Sequence, residues 1–174
     1  LNQFGFSPSM ASAVIELLNA ESGRRVESST HTLCKDREFL ILTSKKVKDD
    51  SEIFISEDTK LISSPVKLKI ETLGDISDVK IEKDPDIALL DCSKLQFPLK
   101  IRIWQPGDKF IPFGMSGYKK VSDFLVDIKV PMHQKNNVYV LVSGDDIAWV
   151  IGYRIDNRFR IDEQTSNVIK FSLT

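Results

Sequence analysis

The sequence holds few of the residues that usually announce chemistry. It has 2 histidines and 2 cysteines in 174 residues. Cys34 and Cys92 cannot build a disulfide scaffold or a zinc site unaided, so they are expected as reduced, half-buried thiols of a cytoplasmic protein. His31 and His133 fit no metal-ligand spacing. The phosphate-loop, dinucleotide-loop, zinc-protease and nucleophile-elbow patterns are all missing. No catalytic residue and no metal ligand is therefore expected within the chain. With 8 Gly and 7 Pro it is neither collagen-like nor low-complexity. No uncharged apolar run approaches the roughly 20 residues of a membrane span. The longest candidate, Val138 to Ile151, is broken by Ser143, Gly144, Asp145 and Asp146. No membrane partner is expected. The opening residues lack the basic and apolar regions of a secretory signal. A start at Leu1 rather than Met suggests a piece of a larger protein.

What is present is a globular balance, 41% hydrophobic and 28% charged. The net charge of −1 conceals an asymmetry. Residues 1–99 carry 13 basic and 17 acidic side chains, and residues 100–174 carry 11 and 8. The acidic extreme is 48–91, with 6 basic against 12 acidic; 100–135 reverses this, with 7 against 3. No whole-chain field attracts a polyanion, so any nucleic-acid surface must be a local patch on the C-terminal half.

The patterning predicts a strand-rich α+β fold, a mixed sheet layered with a few helices. Ser7-Pro8 followed by Met10, Val14, Leu17 and Leu18 reads as a capped amphipathic helix, stopped near Gly23. Arg24–Ser28, Thr30–Cys34 and Glu38–Thr43 read as a strand meander. The apolar run Phe39 to Leu42 suggests burial on both faces. Lys45–Ser51 is a polar linker. Further strands are expected at Glu52–Ser56, Val66–Thr72, Ile87–Asp91 and 97–104, then at Asn137–Val142, Ile147–Ile151 and Val168–Leu173. Val121, Phe124, Leu125 and Ile128 fall on one helical face, ended by Val130-Pro131. The acidic stretch near Asp84-Pro85-Asp86 marks a composition break. It divides the chain into an accessory part, 1–90, and a C-terminal part, 91–174.

A basic constellation carries the positive signal: Arg102, Lys109, Lys119, Lys120, Lys129, Arg154, Arg158 and Arg160. Lys119 and Lys120 stand where a helix starts. There the dipole disfavours cations, and free amides with two ammonium groups would make a phosphate-binding corner. Solvated lysines are the equally weighted alternative. Trp104, Phe110, Phe113 and Tyr118 interleave with these charges. Base stacking is conceivable for them, but core packing of Phe110 and Phe113 is favoured. Trp149 reads as core.

The run from Arg102 through Gln105-Pro106-Gly107-Asp108-Lys109-Phe110, Lys119-Lys120-Val121-Ser122-Asp123-Phe124 and on to Pro131 resembles the C-terminal domain of the tRNA(Ile)-lysidine synthetase family. Trp149 to Asp156 resembles that domain's second block, and Thr165 fits beyond it. Residues 1–45 resemble more weakly the segment that precedes it. The family ligates lysine to the wobble cytidine of an isoleucine tRNA with ATP. Its Ser-Gly-Gly-x-Asp-Ser loop is absent here, so the resemblance implies recognition and not catalysis. It implies a tRNA(Ile) partner gripped at the acceptor stem, with ATP and Mg serving an N-terminal catalytic domain of the same protein. It also implies a homodimer as an expectation, and a fold like a domain of the phenylalanyl-tRNA synthetase β subunit. Lys119 and Lys120 match the family's usual paired position; His133 and Lys135 follow the Val130-Pro131 turn, near where relatives often place an arginine. Two other readings stand beside this one: a module that docks the catalytic domain with little RNA affinity of its own, and a hydrolytic editing domain, which lacks a nucleophile or metal set.

Overall fold

The computed structural model describes residues 1–45, 52–74 and 84–174, leaving aside the side chain of His133. In chain order the elements are α1 (Ala11–Leu18), β1 (Arg25–Glu27), β2 (His31–Asp36), β3 (Phe39–Ser44), β4 (Ile53–Ile55), β5 (Leu61–Ile62), β6 (Leu68–Leu73) and β7 (Ile87–Asp91). There follow β8 (Leu99–Ile103), β9 (Lys109–Phe110), β10 (Lys119–Lys120), α2 (Val121–Asp127) and α3 (Met132–Lys135). The chain closes with β11 (Tyr139–Ser143), β12 (Asp146–Val150), β13 (Arg154–Ile155) and β14 (Val168–Leu173). The strand-rich α+β class is as expected.

These elements form two compact units. One comprises the described residues of Leu1–Asp49 with Lys129–Asn137; the other comprises those of Asp50–Ile128 with Val138–Thr174. The boundary expected near residue 90 does not follow them. It cuts β7, which pairs with β14, and it separates β4 from its partner β8. Composition marks changes of surface charge, whereas strand pairing decides which segments share a core.

In the first unit β1, β2 and β3 form an antiparallel meander, with Val26 opposite Leu33 and Leu33 opposite Leu42. Phe6, Leu17 and Leu33 are buried together, with Val14, Val26, Leu40 and Leu42 packed around them. Gly23 adopts φ +98° and its amide donates to the Lys35 carbonyl at 2.8 Å, which only a residue at ease with positive φ permits. Ser7 precedes Pro8 as expected, but its hydroxyl meets Ser9 Oγ at 2.7 Å and caps no amide. β3 is not buried on both faces: it is the outer strand, Leu40 and Leu42 reach the core, and Phe39 is 70% exposed. α3 was not legible in sequence, because four residues cannot show a helical period.

Among the described residues, besides the two-stranded pair β9–β10, the second unit contains two larger antiparallel sheets, one in the order β13-β12-β11-β8-β4 and one in the order β5-β6-β14-β7. One core joins them. Ile101, Leu141 and Trp149 come from the first sheet; Ile70, Leu90 and Phe171 come from the second. Strict alternation in β6 buries Leu68 and Ile70 and leaves Lys69 in water. Trp149 is wholly buried, faces Leu141 across β11–β12, and has its ring 6.5 Å from that of Phe171. Trp149→Ala is expected to cost about 3–5 kcal/mol through the cavity it leaves. A urea unfolding curve followed by circular dichroism checks this.

A buried polar knot closes the second sheet. Asp91, at the end of β7, accepts from Ser93 N (3.0 Å), Ser93 Oγ (2.7 Å) and Thr165 Oγ1 (2.8 Å), and pairs with Lys94 Nζ at 3.2 Å. Lys94 also reaches Asp162 at 2.7 Å. Burial pushes the Asp91 carboxyl up, but the donors from Ser93, Thr165 and Lys94 outweigh it and hold the group below the usual carboxylate range. The hydrogen bond from Lys94 lowers Asp162 as well. A lowered folded-state pKa gives stability that is present above the unfolded value, near 4, and is lost as pH falls through the folded value. Urea midpoints measured from neutral pH down to below pH 4 are therefore expected to fall, and to fall less steeply in Asp91→Asn than in the parent.

Candidate nucleic-acid interface

Lys109, Lys119 and Lys120 lie on one hairpin of the second unit, and Arg158 reaches its loop at Tyr118. β9 and β10 pair antiparallel, with Lys109 opposite Lys120 and Phe110 opposite Lys119. They close the loop 111–118. Phe110 anchors the hairpin inward: it is fully buried and meets Phe124 of α2 edge-on, ring centroids 5.1 Å apart. Val121 and Leu125 of α2 are buried as well. The helix register thus follows the predicted apolar face, except that Ile128 is 40% exposed.

Two carboxylates hold this arrangement. Asp108 takes a bidentate grip from Arg102, with Nη1 to Oδ2 at 2.7 Å and Nη2 to Oδ1 at 2.9 Å. It also accepts from Gln105 N at 2.8 Å, and its own carbonyl accepts from Val121 N at 2.9 Å. Arg102 thereby fastens the Gln105–Asp108 turn to the start of α2. Paired and only 17% exposed, it has a plain structural task. Arg102→Lys removes the fork and is expected to lower the unfolding midpoint while changing RNA affinity less than twofold. Parallel denaturation and binding curves check it.

Asp156 is completely buried. Its carboxylate accepts from Ile111 N (2.8 Å), Arg158 N (2.8 Å), Arg158 Nε (3.0 Å) and Arg158 Nη2 (2.8 Å). Arg158 also meets Asp146 at 2.9 Å and donates to the Tyr118 hydroxyl at 3.2 Å. The Asp156 carboxylate raises the guanidinium above its already high ordinary pKa. Backbone bonds stitch the loop to the same segment: Phe113 N to the Ile155 carbonyl at 2.9 Å, Asn157 N to the Ile111 carbonyl at 2.7 Å. Gly114 N donates to Asn157 Oδ1 at 3.1 Å.

The eight predicted basic residues divide accordingly. Arg102 and Arg158 are held by buried or half-buried carboxylates, and Lys119 pairs with Asp127. Lys109, Lys120, Arg154 and Arg160 are exposed. Among the described residues none of these four makes an ion pair; the Arg160 guanidinium meets Asn157 Oδ1 at 3.5 Å, and Lys109 lies over the Tyr118 ring at 4.9 Å. Lys129 is exposed, has φ +59°, and belongs to the first unit. Lys120 does stand at the N-cap of α2. The helix end is not the phosphate corner expected, because the helix has seven residues and its Val121 amide is already given to Asp108. The charge of the corner comes from side chains. Phe113 corrects a second expectation: it is 47% exposed and not core, with its amide bonded to the Ile155 carbonyl. Sequence reading missed Asp108 and Asp156 as organisers. Among the described residues no group of three His, Cys, Asp or Glu could hold a metal, and no helix is long and apolar enough to cross a membrane.

Comparison with known proteins settles the ancestry. Residues 1–46 match the TilS substrate binding domain and residues 99–171 the TilS substrate C-terminal domain. A tRNA(Ile)-lysidine synthase of Parabacteroides distasonis is 42% identical over 97% of this chain and 39% of its own length. The chain belongs to the TilS family. A tRNA(Ile)-lysidine synthase of Bacteroides thetaiotaomicron is 36% identical over 99% of this chain and 38% of its own length. The chain thus spans about two fifths of these TilS relatives and matches their C-terminal part. A crystal structure of a TilS C-terminal domain superposes with a TM-score of 0.61 at 17% identity, covering 71% of this chain and 97% of that one. The TilS fold is therefore shared where sequence identity is low.

Proposed function

We propose that this chain is the tRNA-gripping region of a tRNA(Ile)-lysidine synthase. Its partner is tRNA(Ile), held at the acceptor stem. The ATP- and Mg-dependent ligation of lysine to the wobble cytidine belongs to an N-terminal catalytic domain of the same protein, which the region helps to align.

One observation carries the reading. Lys109 and Lys120 face each other across β9–β10, where like charges repel, and among the described residues neither has an acidic partner. A phosphate between them would relieve that repulsion. A-form RNA offers phosphates and 2′-hydroxyls along its wide, shallow minor groove, while its major groove is too narrow for side chains to read. Exposed ammonium groups on a rigid hairpin suit the backbone and carry no base code. Arg154, next to the residue that accepts the Phe113 amide, extends the same basic margin. The hydrogen-bonded carboxylates Asp108 and Asp156 hold the hairpin ready, so little order has to be gained on binding.

Titration of fluorescent tRNA(Ile) with the chain at increasing salt tests the reading. The logarithm of affinity is expected to fall linearly with the logarithm of salt concentration, with a slope reflecting several released counterions. Saturable binding that ignores salt, or no binding, overturns it. The second outcome would favour a module that docks the catalytic domain instead.

A further inference from the structure

We infer that the hairpin loop binds an unpaired nucleotide, with its base stacked on Phe113 and its phosphate held by Lys109 and Lys120. This rests on the proposed tRNA role and adds to it a ligand class, single-stranded RNA beside the duplex.

The argument starts from an exposure that the fold does not require. Phe113, Met115 and Tyr118 lie on one loop and are 47%, 46% and 56% exposed. Single exposed apolar residues are ordinary, but several on one loop above a cationic stem call for a ligand. The stem is the Lys109–Lys120 pair that closes the hairpin.

Tyr118 is already engaged. Lys109 lies 4.9 Å and Arg158 5.3 Å from its ring centroid, and Arg158 donates to its hydroxyl. Phe113 has no ring or cation partner among the described residues. Its backbone is nonetheless firmly held. The Phe113 amide bonds to Ile155, the Gly114 amide to Asn157 Oδ1, and the Met115 amide to the Pro112 carbonyl at 2.8 Å. Gly114 sits at φ +89°, which turns the chain directly after Phe113. A flat apolar ring is thus presented from an anchored backbone, on a loop closed by two lysines that have no acidic partner among the described residues.

That pairing of features suits single strands. Every base has a π-face, so an aromatic ring accepts any unpaired base, and lysines follow the phosphates. A blunt duplex keeps its bases stacked and offers the ring nothing comparable except a terminal pair. Asp156 and Arg158 fix the loop from below and need not touch the RNA.

The test uses two RNAs, a closed-end hairpin with a blunt terminus protected by a bulky cap, and the same hairpin with a short unpaired 3′ extension. Phe113→Ala is expected to weaken binding of the extended RNA about tenfold and to leave the capped one within twofold. Phe113→Tyr is expected to retain the affinity of the parent. Lys109→Glu with Lys120→Glu is expected to weaken both RNAs. If Phe113→Ala binds both RNAs like the parent while the lysine variant weakens both, the stacking site is wrong and the tRNA role stands. If the parent binds neither RNA, both fall. Circular dichroism of Phe113→Ala separates a lost ligand from a lost fold.

Discussion

Reversing Lys109 and Lys120 together to glutamate is expected to lower tRNA affinity about a hundredfold at moderate salt and to reduce the salt slope by about two. Each position forfeits a phosphate contact and gains a repulsion. The fold should not suffer, since the two side chains already face each other as like charges and neither holds an ion pair among the described residues. Opposing glutamates repeat the repulsion without adding to it. Lys119 is the informative contrast. It precedes Lys120 in sequence but pairs with Asp127 at the far end of α2. Lys119→Glu would place two acids together and disturb the helix, so weakened binding by that variant would say little about RNA. The comparison is made by fluorescence anisotropy with the variants matched for unfolding midpoint. An affinity of the double variant within threefold of the parent would remove the hairpin stem from the interface.

Asp156→Ala is expected to destabilise the second unit by about 3–5 kcal/mol, the range for breaking a buried ion pair by deleting one partner. The wholly buried carboxylate holds the Ile111 amide, the Arg158 amide and the Arg158 guanidinium. Its loss strands the two amides, leaves the Arg158 guanidinium to Asp146 and Tyr118, and leaves the loop held to the β13 segment only by its backbone bonds and Asn157. Asp156→Asn should recover part of the stability, because one side-chain oxygen can still accept. RNA binding should weaken in Asp156→Ala even well below the unfolding midpoint, since the lysines and Phe113 ride on this loop. A melting temperature unchanged from the parent would show that the carboxylate has no such role.

Most of the sheet architecture was legible, and the reasons are local. β7 and β14 were read at their observed bounds because an unbroken apolar or alternating run ends at charged or polar residues. The hairpin of β11 and β12 was marked by Ser143-Gly144-Asp145-Asp146, and Gly144 does take φ +58°. β9, β10 and β13 were not legible, because two residues carry no period. The predicted linker at 45–51 lies largely outside the described residues. The domain division was misread since β14 joins a sheet whose other strands stand far before it in sequence.

At the site, sequence marked the right segment but not the division of labour within it. Eight cations looked alike. What separates them is the position of the carboxylates, and those partners are remote: Asp156 reaches Ile111 across 45 positions. Asp108 could have been suspected as a structural acid from its place in a Pro-Gly-Asp turn. Phe113 could not have been told from Phe110 by pattern, for both stand in the same aromatic run. Only the fold shows that Phe110 closes the core and Phe113 faces water.

The account stands most directly on where the RNA is held. The chain should be titrated with an acceptor-stem minihelix of tRNA(Ile) and, separately, with its anticodon stem-loop, each at low and at raised salt. The account predicts tighter binding to the minihelix, with that preference weakened as salt rises. Equal binding to both RNAs, or binding to neither, would contradict it.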